Sequence, residues 1–203
     1  MTAPLLAFAR GIDRLNDGFG AVARWAVLLS CLISALNAVV RYALDYSSNA
    51  FLEIQWYLFA ACVMLGAAQV LRLNEHVRVD LFYSRLRGRG KVFVDLFGLL
   101  VFLLPVIGYF AVLAWKFFVI KLSTGMAPGD SVASLGLVSY VLKLARSGEV
   151  SGNAGGLILW PVVLLMPLGF AMVWLQGLAE VIKRLAWLAG TYEMETHYER
   201  PLQ

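Results

Sequence analysis

The stretch Ile54–Leu71, IQWYLFAACVMLGAAQVL, holds 18 residues and no charge. As a helix it is about 27 Å long, close to the roughly 30 Å hydrocarbon core of a bilayer. Three further stretches read the same way: Trp25 to Val40, Leu96 to Trp115, and roughly Gly156 to Ala179. Lipid offers backbone N–H and C=O groups no partner, so each stretch must be a helix rather than a strand. A membrane protein that couples ions usually keeps an ionisable side chain at membrane depth. These stretches keep none, which points away from a self-sufficient pump and toward a helper inside a larger membrane complex.

Composition agrees with membrane residence. Hydrophobic residues make up 61% and charged residues 15%, with a mean hydropathy of +0.75. A soluble domain is nearer half apolar and a quarter charged. Four helices and their connections use up a chain of 203 residues. The expectation is therefore an all-α membrane protein forming one membrane domain over residues 1–203. Within it we place an interfacial helix over about 4–20, spans over about 22–41, 53–72, 93–116 and 156–181, and a tail over about 183–203. The first span follows a patterned segment and ends at Arg41-Tyr42 without a small-residue cleavage site, so it reads as a retained anchor. Cys31 and Cys62 fall inside spans and read as small buried hydrophobes rather than as a disulfide or metal site.

The basic residues set an orientation. Arg10, Arg14 and Arg24 precede the first span, Arg72, Arg78, Arg85, Arg87, Arg89 and Lys91 lie between the second and third, and Lys183, Arg184 and Arg200 follow the fourth. Only Arg41, Lys116, Lys121, Lys143 and Arg146 fall on the other side. The positive-inside rule then puts both termini and the middle loop in the cytoplasm. The net charge of +4 follows from this topology and does not indicate nucleic-acid binding.

Between the spans the pattern is also informative. Leu5, Phe8, Ile12, Leu15, Phe19 and Val22 recur at helical spacing, with Arg10, Asp13, Arg14 and Asp17 on other faces. Such a helix either lies at the cytoplasmic interface or packs on a partner subunit. Gly88 and Gly90 should stop any helix in the middle loop. Beyond the turn at Gly125, Pro128 and Gly129, residues Ser139, Lys143 and Arg146 share one face of a short periplasmic helix. Pro161 and Pro167 sit at the start and inside of the fourth span, where proline is tolerated but tends to kink. Trp115, Trp160, Trp174 and Trp187 suit either a membrane interface or a partner.

Several polar residues are candidates for a role. Asn37 and Arg41 are four residues apart and share a helix face. Arg41 can pair with Glu53 across the first hairpin, or both can face water. Gln55, Trp56 and Tyr57 follow at the same level, where aromatic residues commonly act as interfacial anchors. His76 and Asp80 are also spaced by four. They are too few for a metal site, because the only other histidine is His197. They also lack a nucleophile for catalysis, so a hydrogen-bonded pair that shapes the loop and meets another subunit is the better reading. Gln176, late in the fourth span, suits a hydrogen bond across helices rather than a substrate contact.

In order, Asn37-x-x-x-Arg41-Tyr42, Glu53-x-Gln55-Trp56, Leu65-Gly66, Asn74-x-His76-Val77-Arg78-Val79-Asp80, Ser147-Gly148-Glu149-Val150-Ser151, Gly155-Gly156-Leu157, Trp160-Pro161 and Leu175-Gln176-Gly177 resemble one family. It is the DctQ-like small permease subunit of the tripartite ATP-independent periplasmic (TRAP) transporters, and the resemblance spans about residues 20 to 185. It implies three partners. A periplasmic binding protein captures an organic acid, and a large permease subunit moves it inward by an elevator motion driven by sodium. The small subunit packs on the large one within the lipid membrane and widens its scaffold. It implies no cofactor in this chain, with Na+ bound in the large subunit, and no enzymatic activity. Relatives often carry two consecutive acidic residues where this chain has Glu53-Ile54, so a role that needs both carboxylates does not carry over.

The rival readings are weaker. A four-helix cytochrome would place histidines in the bundle, and a proton-coupled exporter would place a carboxylate at mid-span. A membrane enzyme has only His76 with Asp80 to build on. A scaffold or assembly subunit of another inner-membrane complex makes the same composition and topology expectations, and differs only in its partner.

Overall fold

A computed structural model describes residues 2–46, 48–74, 86, 88–153 and 156–193. Four long helices carry the fold: α1 (Thr2–Leu44), α2 (Asn49–Leu73), α3 (Arg89–Ser123) and α6 (Trp160–Leu188). Each is long and apolar enough to cross a membrane. Two short helices, α4 (Val132–Leu135) and α5 (Leu137–Ser147), lie between α3 and α6. The expected all-α membrane fold with a short helix in the long loop is what forms. The four helices alternate in direction. One end of the bundle gathers the charged residues of α1, α2 and α6 and is called the basic end; the other, carrying residues 124–153 and 156–159, is the loop end.

The expected interfacial helix is not a separate element. The amphipathic segment runs without a break into the first span as one helix of 43 residues. Its stripe is divided: Ile12 turns into the bundle and Phe19 packs against it, whereas Leu5, Phe8, Leu15 and Val22 face outward. Small and polar residues supply most of the buried face, with Ala9, Asn16, Ala23 and Ala26 enclosed. Two interactions hold the segment upright. Ala9 and Ile12 pack on Ala179 of α6, and Asp13 and Asn16 bond to that helix. Cys31 also departs from expectation, being exposed on the outer surface of α1, while Cys62 is half-buried; both are free thiols.

α6 is the hub. It packs against α1, α2 and α3, whereas among the described residues α3 packs mainly on α6. On one side, Ala23 of α1, Leu65 and Ala68 of α2 and Met172 of α6 form a core. Small residues at such contacts let helix backbones approach, which matters where lipid supplies no hydrophobic drive between helices. Gly169 marks a close approach of α6 to α2, since a Cβ there would lie 2.8 Å from the Met64 carbonyl oxygen. On the other side Phe170 stacks on Phe110 of α3, with ring centroids 5.8 Å apart.

The third and fourth spans differ at their ends from expectation. α3 contains a π-helical turn over Gly98–Leu103, directly before Pro105. Proline removes one N–H and crowds the carbonyl four residues back, and a widened turn relieves both. Leu104 N–H accordingly bonds to Leu99 O, five residues back. α6 starts at Trp160 rather than near residue 156, with Pro161 in its first turn where its missing N–H costs nothing. It also runs past residue 181 to Leu188, so Lys183 and Arg184 belong to the bundle and not to a tail. At the basic end α2 stops with Asn74 in the left-handed conformation, and Gly88 precedes α3. Gly90 lies inside that helix rather than breaking it.

Replacing Gly169 with alanine should force α2 and α6 apart. We expect a loss of about 1–3 kcal/mol, the usual cost of overpacking, seen as a lower thermal midpoint in detergent. Gly98→Ala, where a Cβ meets nothing within 4 Å, should not lower the midpoint.

Candidate functional site

Ionisable residues are engaged at both ends of the bundle. At the loop end, Glu53 lies one turn into α2 and is buried. Its carboxylate accepts three hydrogen bonds: from Ser151 Oγ at 2.5 Å, Asn153 Nδ2 at 2.8 Å and the Leu157 backbone N–H at 2.7 Å. The loop is folded to present these donors. Val150 bridges Ile158, Ser151 N–H donates to Leu157 O at 3.0 Å, and Leu159 N–H donates to Glu149 O at 2.8 Å. One helical turn beyond Glu53, the Tyr57 hydroxyl donates to Ile158 O at 3.1 Å. Lys121 of α3 pairs with Glu149, and the Trp160 indole N–H donates to Ala145 O of α5. Residues 149–153 and 156–159 are thus held by α2 and α3 ahead of α6. A carboxylate with three donors already in place anchors this loop.

The pairing of Glu53 with Arg41 does not form. Arg41 is exposed at the end of α1, while loop donors from about 100 residues away in sequence occupy the carboxylate. Asn37, one turn earlier, is half-buried. Tyr42 and Trp56 are 86% and 76% exposed, on the outer surface of the bundle. Gln55 is half-buried; its carbonyl accepts from Ser30 Oγ at 3.4 Å, while its side-chain Nε2 is enclosed without a partner among the described residues. His76 and Asp80 lie outside the described residues. Among the described residues no three His, Cys, Asp or Glu side chains gather in a way that could hold a metal ion.

At the basic end Gln176 is fully enclosed. Its Oε1 accepts from Asn16 Nδ2 of α1 at 2.6 Å, and its Nε2 donates to Asp13 Oδ1 at 3.0 Å and Glu180 Oε1 at 3.1 Å. Lys183 Nζ reaches the same two carboxylates, at 2.7 Å and 3.0 Å. Arg184 pairs with Glu180 and extends to Asp95 of α3 at 3.2 Å. Arg72 of α2 pairs with Asp17 and donates to the Asp13 carbonyl at 3.0 Å. All four long helices therefore contribute to one network. Buried charges of this kind persist only when paired and hydrogen-bonded.

The interhelical bond expected of Gln176 is present. Sequence reasoning passed over Asp13, Asn16, Asp95, Glu180, Lys183 and Arg184. A signal did exist: residues 176, 180, 183 and 184 are three to four apart and so fall on one face of α6. Their partners on α1 were hidden, because Asp13 reads as the solvated side of an amphipathic helix.

Two outcomes are expected. Glu53→Ala should free the loop and speed protease cleavage within residues 149–157 in detergent, whereas Arg41→Ala should leave the digestion pattern as in the parent. Gln176→Leu leaves the Asn16 amide donor buried and unmatched, so denaturant titration should show a loss of about 1–3 kcal/mol.

No curated protein and no solved structure matches the chain. The family model described as "Tripartite ATP-independent periplasmic transporters, DctQ component" matches residues 30–186. That match begins midway along α1 and runs to the last turn of α6, taking in the Glu53 loop and the α6 side of the buried network. The chain is a member of the DctQ family, the small membrane component of the TRAP transporters.

Proposed function

We propose that this chain packs on the large permease subunit of a TRAP transporter and supports it during sodium-driven, elevator-type uptake of organic acids. A periplasmic binding protein would deliver the substrate, and Na+ would bind in the large subunit. The observation that carries this reading is where the charges go. Between the two bundle ends the spans carry no ionisable side chain apart from cysteine and tyrosine. At the ends, Glu53, Glu180, Lys183 and Arg184 are all consumed by bonds within the chain. A carrier of anions or sodium would keep a charged group available at membrane depth. A supporting subunit has no such need, and its buried pairs instead fix the register of its helices.

The same reading gives an orientation. The basic end, with Arg10, Arg14, Arg24 and Arg72, would face the cytoplasm of a bacterial inner membrane, and the Glu53 loop would face the periplasm. The chain would have no catalytic activity of its own.

The test is co-purification in mild detergent, followed by reconstitution. The tagged chain should recover a large polytopic subunit in stoichiometric amount. Liposomes holding this chain alone should take up no organic acid under a sodium gradient, while those holding both membrane subunits should do so once the binding protein is added. Recovery of an unrelated membrane complex would instead mark a scaffold of that complex, and sodium-dependent uptake by this chain alone would overturn the helper role.

A further inference from the structure

The outward face of α1 carries a seven-residue repeat. Phe8, Leu15, Val22, Leu29 and Leu36 are spaced by seven, and all are exposed. Gly11, Gly18, Trp25, Leu32 and Val39 form a second series, each three residues after a member of the first, and they too are exposed. Alternating spacings of three and four sustained over five heptads are the pattern of a coiled-coil seam. The seam lies about 100° around α1 from the stripe that packs on α2 and α6, where Ala9, Asn16, Ala23 and Ala26 are buried. From Phe8 to Val39 it is about 47 Å long at 1.5 Å per residue.

We infer that this seam is the docking surface for one long helix of the large permease subunit, an assignment that rests on the proposed TRAP reading. The length of the seam is the first argument. Lipid tails can cover Trp25 to Val39, which lie in the uncharged part of α1. They do not cover Phe8 to Val22, which run among Arg10, Asp13, Arg14 and Asp17 at the level of the buried charge network. A covering surface that is apolar along both parts is a protein helix. Charge is the second argument. Arg14 flanks the seam with Arg10 one turn before it; both are exposed, and neither joins an ion pair among the described residues. A second copy of this chain in parallel would bring two unpaired Arg14 side chains to the same level. A partner helix with acidic residues there would complement them. Shape is the third. A Cβ at Gly11 or Gly18 would meet nothing within 4 Å, so the partner's large side chains can seat over both. The 3.5-residue period sets a shallow left-handed crossing of about 20°. Off the seam α1 exposes Val27 and Leu28 within its uncharged part, and α3 exposes Phe93, Phe102, Val112 and Ile120 around its circumference, as suits lipid.

The test places a photo-activatable benzoyl-phenylalanine at Leu15, Val22 or Leu29, and as controls at Phe102 or Val112. Membranes would hold this chain together with the large subunit of its own system. The expected result is crosslinking to one helix of the large subunit from the three seam positions and not from the controls. Adducts to the large subunit from α3 alone would overturn the seam and leave the subunit assignment standing. Adducts between two copies of this chain at the seam, or to lipid alone at Leu15, would also overturn it. If no position reaches the large subunit and the two do not co-purify, the proposed function itself fails. As a second measure, Gly18→Leu should lower co-purified large subunit by about tenfold or more, with the thermal midpoint of this chain unchanged. Retention of the large subunit at the parental level by Gly18→Leu would overturn the close approach.

Discussion

The fold depends on keeping charges satisfied at the basic end of α6. Glu180, Lys183 and Arg184 are each buried, and an unpaired charge in that position would cost several kcal/mol. Their partners come from α1 and α3, while Gln176 links the cluster to Asn16. Apolar contact alone cannot specify how helices align in lipid, because one apolar surface packs about as well as another. A shared set of hydrogen bonds has one geometry. Sliding α1 by a turn along α6 would strand Asp13, Asn16 and Lys183 together, and this gives the bundle its register.

The Glu53 loop does comparable work at the other end by a different means. Among the described residues the carboxylate is met by no cation but by a hydroxyl, an amide and a backbone N–H. Neutral donors fixed by loop geometry hold an anion without requiring a mobile basic side chain to be ordered. The cost falls on the loop, which must fold into one shape before its donors converge. The Val150–Ile158 bridge and the Lys121–Glu149 pair provide that shape. Farther out, at the turn, Lys143 and the Ala127 N–H bond to the Asp130 carboxylate and hold it below its ordinary pKa.

How much of this was legible in the sequence follows from distance along the chain. The spans are local properties, visible as uncharged runs, and the four long helices contain them except for the start of the fourth, which precedes α6. Gln176 was legible because a lone polar residue inside an apolar helix needs a partner. The partner of Glu53 was not, because Ser151 and Asn153 lie 98 and 100 residues away. Arg41 was the nearer and more obvious choice, but it sits on an outward face. The Ser147–Ser151 and Gly155–Leu157 motifs carried the family resemblance, and their Ser151 and Leu157 prove to be donors to that carboxylate. The amphipathic segment misled for a related reason. Its large apolar side chains suggest the buried face, yet alanine, asparagine and aspartate make the contact with α6. In a bundle whose outer surface meets lipid or protein rather than water, size and apolarity no longer mark the inside.

The placement of α3 has a mechanical consequence. Among the described residues it touches the α1–α2 hairpin hardly at all and meets it through α6 and through the loop that grips Glu53. Among those residues a load applied to α3 reaches the hairpin by two routes, one distributed along a helix and one gathered at Glu53 and Tyr57 near the far end. The molecule is built like a beam with an arm pinned along one side and tied at its tip. If the tie is cut, the arm keeps its hinge and loses its fixed angle.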